Sequence, residues 1–300
     1  MSCTNTLAWP ITRFVDGFDL QPNTTLTLYE GFCAGSRLRS APEELGNLMN
    51  YRNPVTRFLL RKDFSKRVRT RLFLWHRKIV KDEVADLACL LQQNPPKVIF
   101  DVGANVGFMT WQLIRAFPSA TVFAFEPDPT PLRVLEQTHG RNPRIRIFPI
   151  AAADREGELP FLQRDISCNS SLLEADRLTD VASRNSIQVK AETLDHFCAR
   201  QSILHIELLK TDTEGADLLV LKGARGLLAA GGVDVVMSEV LFAPTYKGQA
   251  TFDEIAGYLK NFGFLIYNIY IGRETGIGQA CYANVIFIGQ HFQQNVSTRR

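Results

Sequence analysis

The sequence predicts an α/β fold built on one open, mostly parallel sheet of seven strands. Helices cover both faces, and an irregular, partly helical N-terminal extension precedes the sheet. Three observations predict it. From residue 97 onward, short apolar runs alternate with amphipathic segments of about ten residues, the rhythm of βαβ units. The first run ends in a glycine-rich turn, Gly103 to Gly107. The last two runs, residues 264–271 and 283–288, have no helical segment between them, so they form an antiparallel pair at the sheet edge.

Each element follows from its pattern. Residues 82–93 carry Val84, Leu87, Ala88 and Leu91 at helical spacing, and Pro95 and Pro96 stop that helix. Residues 97–103 are a buried strand running into a turn. Residues 108–117 form a helix with Met109, Leu113 and Phe117 along one face. A strand at 121–125, a helix at 131–139 and a third strand at 144–151 complete the first half. The stretch 155–200 interrupts the rhythm with short strands at 159–162 and 187–190 around a polar loop, then a helix at 193–199. Alternation resumes with a strand at 206–210, a helix at 217–229, a strand at 233–240 and a helix at 252–262. Seven strands closing on a hairpin form the architecture of Rossmann-like methyltransferases rather than of dehydrogenases. The boundaries expected are an extension at 1–94, the main domain at 95–290 and a tail at 291–300.

Composition narrows the function classes. The chain has 300 residues, 45% hydrophobic and 22% charged, which are globular values. A net charge of +3 is too mild for a nucleic-acid binder. No secretory signal and no membrane span is expected, and the six scattered cysteines, with no C-x-x-C pair, read as reduced thiols of a cytoplasmic protein. The basic run 57–78 is interleaved with Phe58, Leu59, Phe64, Phe73 and Trp75, which favours a helix packed on the core over a free polybasic tail.

Asp101, Gly103, Asn105 and Gly107 lie at the first strand-to-helix turn. Glycines there permit a tight turn and close ligand approach, and the helix start offers N–H groups to a carboxylate or phosphate. Glu126 ends the second strand, where a carboxylate can bind a ribose diol. The spacing G-x-x-x-G departs from the G-x-G-x-x-G of dinucleotide sites. Asp101, at the strand tip, can face a cationic ligand. Two carboxylates around a glycine turn suit S-adenosylmethionine, which carries an ammonium, a sulfonium, a ribose diol and an adenine. Asp154, following the third strand, can accept from the adenine amino group or serve as an ordinary turn residue.

The residues then resemble a known family, the FkbM-type S-adenosylmethionine-dependent methyltransferases, from about Val98 to Ile288. Asp101-Val-Gly-Ala-Asn-Val-Gly107 is similar to its first motif. Phe125-Glu-Pro-Asp-Pro129 is similar to its second, with Pro127 after the ribose-binding acid. Ser170-Ser-Leu172 and Thr193-Leu-Asp195 also fit. Leu209-Lys-Thr-Asp-Thr-Glu-Gly215, followed by Leu221-Lys-Gly-Ala224, is the most specific piece, with Thr211 where the family usually has an apolar residue. The resemblance implies O-methylation of a hydroxyl, often on a sugar or polyketide natural product.

Acceptor chemistry is expected at the carboxyl ends of the later strands. Asp212 is the first choice for a base or for holding the acceptor, with Glu214 and Glu239 beside it; Asp212 and Glu214 also fit as a helix cap and a helix-dipole partner. No metal is predicted, with a divalent ion on Asp212 and Glu239 as an alternative. Asn169, Ser170 and Ser171 either line the acceptor site or form a surface loop. His205 reads as a structural histidine, and His139, His196 and His291 show no acidic neighbour pattern in sequence. The expected partner is a small-molecule or glycosidic hydroxyl, with no nucleic acid; oligomeric state is left open. Two other functions compete. A nicotinamide-dependent oxidoreductase is disfavoured by the glycine spacing and by the lack of a Tyr-x-x-x-Lys pattern. A non-catalytic methyltransferase-fold scaffold is disfavoured by the intact Asp101, Gly103, Gly107 and Glu126.

Overall fold

The computed structural model describes residues 82–164, 167–176, 183–274 and 278–297. Most of the N-terminal extension, including the basic run 57–78, lies outside them. Helix α1 (Glu83–Leu90) is capped by Asp82, whose side chain accepts from the Val84 and Ala85 N–H groups at 3.0 Å. It precedes the expected domain start, yet it packs Leu87 and Leu91 into the core.

Strands β1 (Val98–Val102), β2 (Thr121–Phe125) and β3 (Ile145–Phe148) alternate with α2 (Phe108–Ala116) and α3 (Pro129–His139). After the insert come α4 (Leu194–Gln201), β7 (Ile206–Thr211), the short helices α5 (Asp217–Gly223) and α6 (Arg225–Ala229), β8 (Val233–Leu241) and α7 (Phe252–Lys260). The hairpin β9 (Phe264–Glu274) and β10 (Ala280–Gly289) leads to α8 (Gln290–Ser297). The main sheet runs β3-β2-β1-β7-β8-β10-β9. Five strands are parallel, and β10 slots antiparallel between β8 and β9. The seven-stranded reading therefore holds.

Both sheet faces are buried, which is why the strands read as continuous apolar runs. Ile99 and Phe100 are neighbours on β1 and enter opposite cores. On one face Phe197 of α4 meets Phe125 and Phe148 edge-on, each at 4.8 Å between ring centroids. At the base of the sheet, Asp234 accepts from His205 and His291, both at 3.0 Å. His196 lies 3.1 Å from Glu192. The Asp234 pairings are long-range and leave no spacing in sequence, but Glu192 stands four residues before His196, so the expectation of no acidic neighbour pattern there is corrected.

Three expectations need correcting. The third strand ends at Phe148, because Pro149 has no N–H for the ladder. Residues 151–152 instead form β4 in a second sheet, ordered β4-β6-β5, with β5 (Gly157–Arg164) and β6 (Ser183–Glu192). The helix expected at 217–229 is two helices, broken at Ala224. The tail expected from residue 291 instead begins as a helix, Gln290–Ser297. Among the described residues Cys89, Cys198 and Cys281 form no disulfide, and no helix is long and apolar enough to cross a membrane.

Candidate active site

The parallel strands bring two loops together at their carboxyl ends. The first, 103–107, joins β1 to α2. Gly103 and Gly107 have φ of 76° and 92°, where a Cβ is disfavoured. What the glycines make room for is protein. A Cβ on Gly103 would stand 1.9 Å from the Asp212 carbonyl oxygen, and one on Gly107 would strike Leu135 and His139 at 2.6 Å. The turn's own N–H groups are also committed. Gly103 and Ala104 donate to the Phe125 carbonyl, Asn105 to Glu126, Val106 to the Asn105 side chain and Gly107 to the Ala104 carbonyl. The N–H groups of the turn itself are therefore committed within the protein, and the expectation of N–H groups offered to a ligand concerns only the start of α2 that follows.

Glu126 is the hinge of this side. It is 5% exposed, and its two oxygens accept from the Asn105 and Asp128 N–H groups, both at 2.8 Å. Pro127 between them has no N–H, so the bond falls to Asp128. Burial pushes the Glu126 carboxyl up to about 7, against the pull of those two N–H groups. A carboxylate has about four acceptor positions, so two remain for a ligand's hydroxyls. His139 lies against Gly107, and burial lowers its imidazole.

Asp101 does not face solvent. It is fully buried, accepts from Thr110 Oγ1 at 2.5 Å and pairs with Lys210 Nζ at 3.0 Å. The two are direct partners in the β1–β7 register. The reading in which Asp101 meets a cationic ligand is corrected, because an internal cation already fills that role. Lys210 also donates to the Gly103 carbonyl at 3.2 Å and lies 3.4 Å from Asp212. Burial pulls its ammonium down, but Asp101 and Asp212 outweigh this and the net shift is upward.

The second loop follows β7. Thr211 faces Ser238 in the β7–β8 register and donates to it at 2.9 Å. That bond explains a hydroxyl where the motif usually has an apolar residue. One residue further along the same register, Asp212 stands beside Glu239. Asp212, Glu214 and Glu239 each place a carboxylate oxygen within 4.8 Å of the others. Glu214 adopts φ 55°, an uncommon value for a residue with a Cβ. Burial first, then Asp212, pushes Glu214 up to about 8. The same causes push Glu239 well above the usual carboxylate range, with Glu214 and Asp217 adding to them. Asp217 is 1% exposed and is raised to about 6, mainly by burial.

The insert roofs this cluster. Ser171, 1% exposed, donates to the Glu214 carbonyl at 2.8 Å, and Ser170 accepts from the Arg164 N–H at 3.1 Å. The two serines fasten the insert rather than form a free surface loop. Arg164 reaches the Asn169 carbonyl at 2.7 Å and stacks on Tyr246 at 4.8 Å. The Tyr246 hydroxyl donates to Glu214 at 2.7 Å, with the Asn169 carbonyl at 3.0 Å. Asp154 follows β4, not the third strand, and its side chain is 32% exposed with Arg155 4.0 Å away.

Lys210 was legible only as part of its motif, since nothing in spacing shows that a strand lysine answers a strand aspartate. Arg164, Tyr246 and Asp217 carry no sequence signal for this site. Arg164 and Tyr246 converge through the insert and the 243–249 loop, which pair at Ala175 and Tyr246, and Asp217 comes from the start of α5.

This sheet order, with a strand-end acid after β2 and acids after β7 and β8, defines a Rossmann-like methyltransferase. Residues 101–266 match the model of the methyltransferase FkbM domain, and the chain belongs to that family. Among its relatives is the 2-O-methyltransferase NoeI of Sinorhizobium fredii, 27% identical over 62% of this chain and 77% of that protein. The hexuronic acid methyltransferase AglP of Haloferax volcanii is 29% identical over 56% of this chain and 66% of its own length. The 31-O-demethyl-FK506 methyltransferase FkbM of Streptomyces tacrolimicus is 25% identical over 59% of this chain and 75% of that protein.

Proposed function

We propose that this chain is an S-adenosylmethionine-dependent O-methyltransferase acting on a hydroxyl of a sugar or natural-product acceptor. The observation that carries the reading is the juxtaposition, across Gly103, of a partnered strand-end acid and a cluster of acids with spare oxygens. The cofactor supplies a methyl group on a positively charged sulfur, already a good leaving group. The residues present fit it. Glu126 keeps acceptor positions for a ribose diol, and Pro127 and Asp128 hold its orientation. The G-x-x-x-G spacing of this loop departs from that of dinucleotide sites and disfavours a nicotinamide dinucleotide.

The chain's own work is positioning and proton transfer. Asp212 has a side chain 37% exposed and ion-paired with Lys210, so it can reach an acceptor. Glu214 and Glu239, both pushed up by burial and by Asp212, stand beside it and can orient the acceptor. Asp212 is then the group placed to receive the hydroxyl proton. Asn169 and the roof formed by the insert exclude water above it. Asp154, at the exposed rim, is placed for the adenine end. The 2-O-methyltransferase NoeI and the hexuronic acid methyltransferase AglP, as relatives, support a glycosidic hydroxyl as the acceptor class.

Calorimetric titration with S-adenosylhomocysteine and, separately, with NADH tests the reading. Saturable binding of the first and none of the second is expected, with Glu126→Ala losing about a hundred-fold in affinity, the scale of two charge-assisted hydrogen bonds. Binding of NADH alone would overturn it.

A further inference from the structure

The acceptor-side acids pose a problem that the positioning role leaves unsolved. Three carboxylates converge within 4.8 Å, and a fourth, Asp217, stands behind them close enough to raise two of the three. Lys210 is drawn to Asp101 and reaches only Asp212 of the cluster. Tyr246 satisfies one oxygen of Glu214. Two oxygens are satisfied by nothing. Glu239 Oε2 and Asp217 Oδ1 are buried without a hydrogen-bond partner, on residues 9% and 1% exposed. A buried acceptor left without a donor is destabilising, and more so when it is charged. A fold that orders its neighbouring loop down to every N–H does not leave these oxygens bare without a use.

We propose that Asp212, Glu214 and Glu239 bind one divalent cation of the oxygen-seeking kind, such as magnesium, calcium or manganese, at the carboxyl ends of β7 and β8. Such ions take oxygen ligands at about 2.0–2.6 Å, which places ligand oxygens no more than about 4–5 Å apart. The observed spacing meets that limit without moving a strand. Three carboxylates with no histidine or cysteine among them select a hard cation over zinc or copper. The side-chain exposure of Asp212, 37%, leaves one side of the ion open to an acceptor oxygen. The inference rests on the methyltransferase reading. In that reading the ion holds the acceptor hydroxyl and offsets the negative charge that grows on its oxygen. Tyr246, through its bond to Glu214, then becomes a positioning residue for the ligand set.

The test uses the full chain, stripped of metal with a chelator, dialysed, and titrated with manganese chloride while the signal of free aqueous manganese is followed by electron paramagnetic resonance. One manganese per chain is expected, displaced by excess magnesium or calcium. Glu239→Gln and Glu214→Gln should each weaken uptake at least ten-fold, whereas Glu158→Gln, on the exposed edge of the insert, should leave it unchanged. Thermal melting of each variant establishes that it is folded. Absence of uptake at millimolar manganese, or equal uptake by folded Glu239→Gln, overturns the inference. S-adenosylhomocysteine binding on the same samples separates the two readings. Binding without manganese uptake sinks the cation alone, and manganese uptake without such binding sinks the methyltransferase reading and leaves the cation site standing.

Discussion

The two loops that meet at Gly103 differ in how completely they are satisfied. On the 103–107 side every N–H of the turn has an acceptor, and both oxygens of Glu126 are engaged. On the 212–217 side carboxylates crowd together and buried oxygens lack partners, although both loops hold a non-glycine residue at positive φ, Asn105 in one and Glu214 in the other. The first loop is a finished platform that a neutral diol can join. The second is incomplete until something positive or proton-bearing arrives. Unmet polar groups gather on the acid side of the seam, and satisfied ones on the glycine side.

Four substitutions or titrations would break or sharpen that contrast. The largest effect is expected for Asp212→Asn, which should lower kcat by about 10²–10⁴-fold while leaving S-adenosylhomocysteine affinity within a few-fold; an equal loss in both, measured by steady-state kinetics and calorimetry, would remove Asp212 from the acceptor side. Next, Lys210→Met leaves Asp101 buried without its cation. It should destabilise the fold by about 3–5 kcal/mol in urea unfolding, and an unchanged midpoint would mean that the pair does not join the two loops.

A smaller effect concerns Glu126. Its carboxyl is raised by burial to about 7, so the ionised form that accepts ribose hydroxyls is lost as pH falls through that value. Affinity for S-adenosylhomocysteine should decline below pH 7 by up to about ten-fold per unit, and a flat calorimetric profile from pH 8 to 5.5 would contradict this. The smallest lies far from both loops. His205 is raised chiefly by its bond to Asp234, so the pair's stabilisation is full below the unfolded histidine value near 6.5 and is lost as pH rises through the folded one. Asp234→Asn should lower the melting temperature by a few degrees at pH 6 and by less at pH 9.

How much of this was legible in the sequence follows the same division. Periodicity gave the strands and helices, and the absent helix between residues 271 and 283 exposed the hairpin, because both are local patterns. The acids at 126, 212, 214 and 239 were found because strand ends are predictable. The partners of those acids were not. Asp101 looks like a free carboxylate until register sets Lys210 beside it. The serines at 170 and 171 look like acceptor contacts until the insert folds back onto Glu214. Pro149 carried a signal that an alternating apolar pattern masked, and so the third strand was drawn too long. Long-range polar pairing leaves no periodic trace, and that is where the reading fell short.

At position 103 a lone hydrogen faces the carbonyl oxygen of Asp212, in space that any larger substituent would claim. The platform and the acids therefore abut as two stones in an arch. Neither can shift without shoving its neighbour, so a ligand settling on one flank sets the reach of the groups on the other. Evolution of a new acceptor preference in this chain has to work through the insert and the 243–249 loop, because the seam itself has no slack to give.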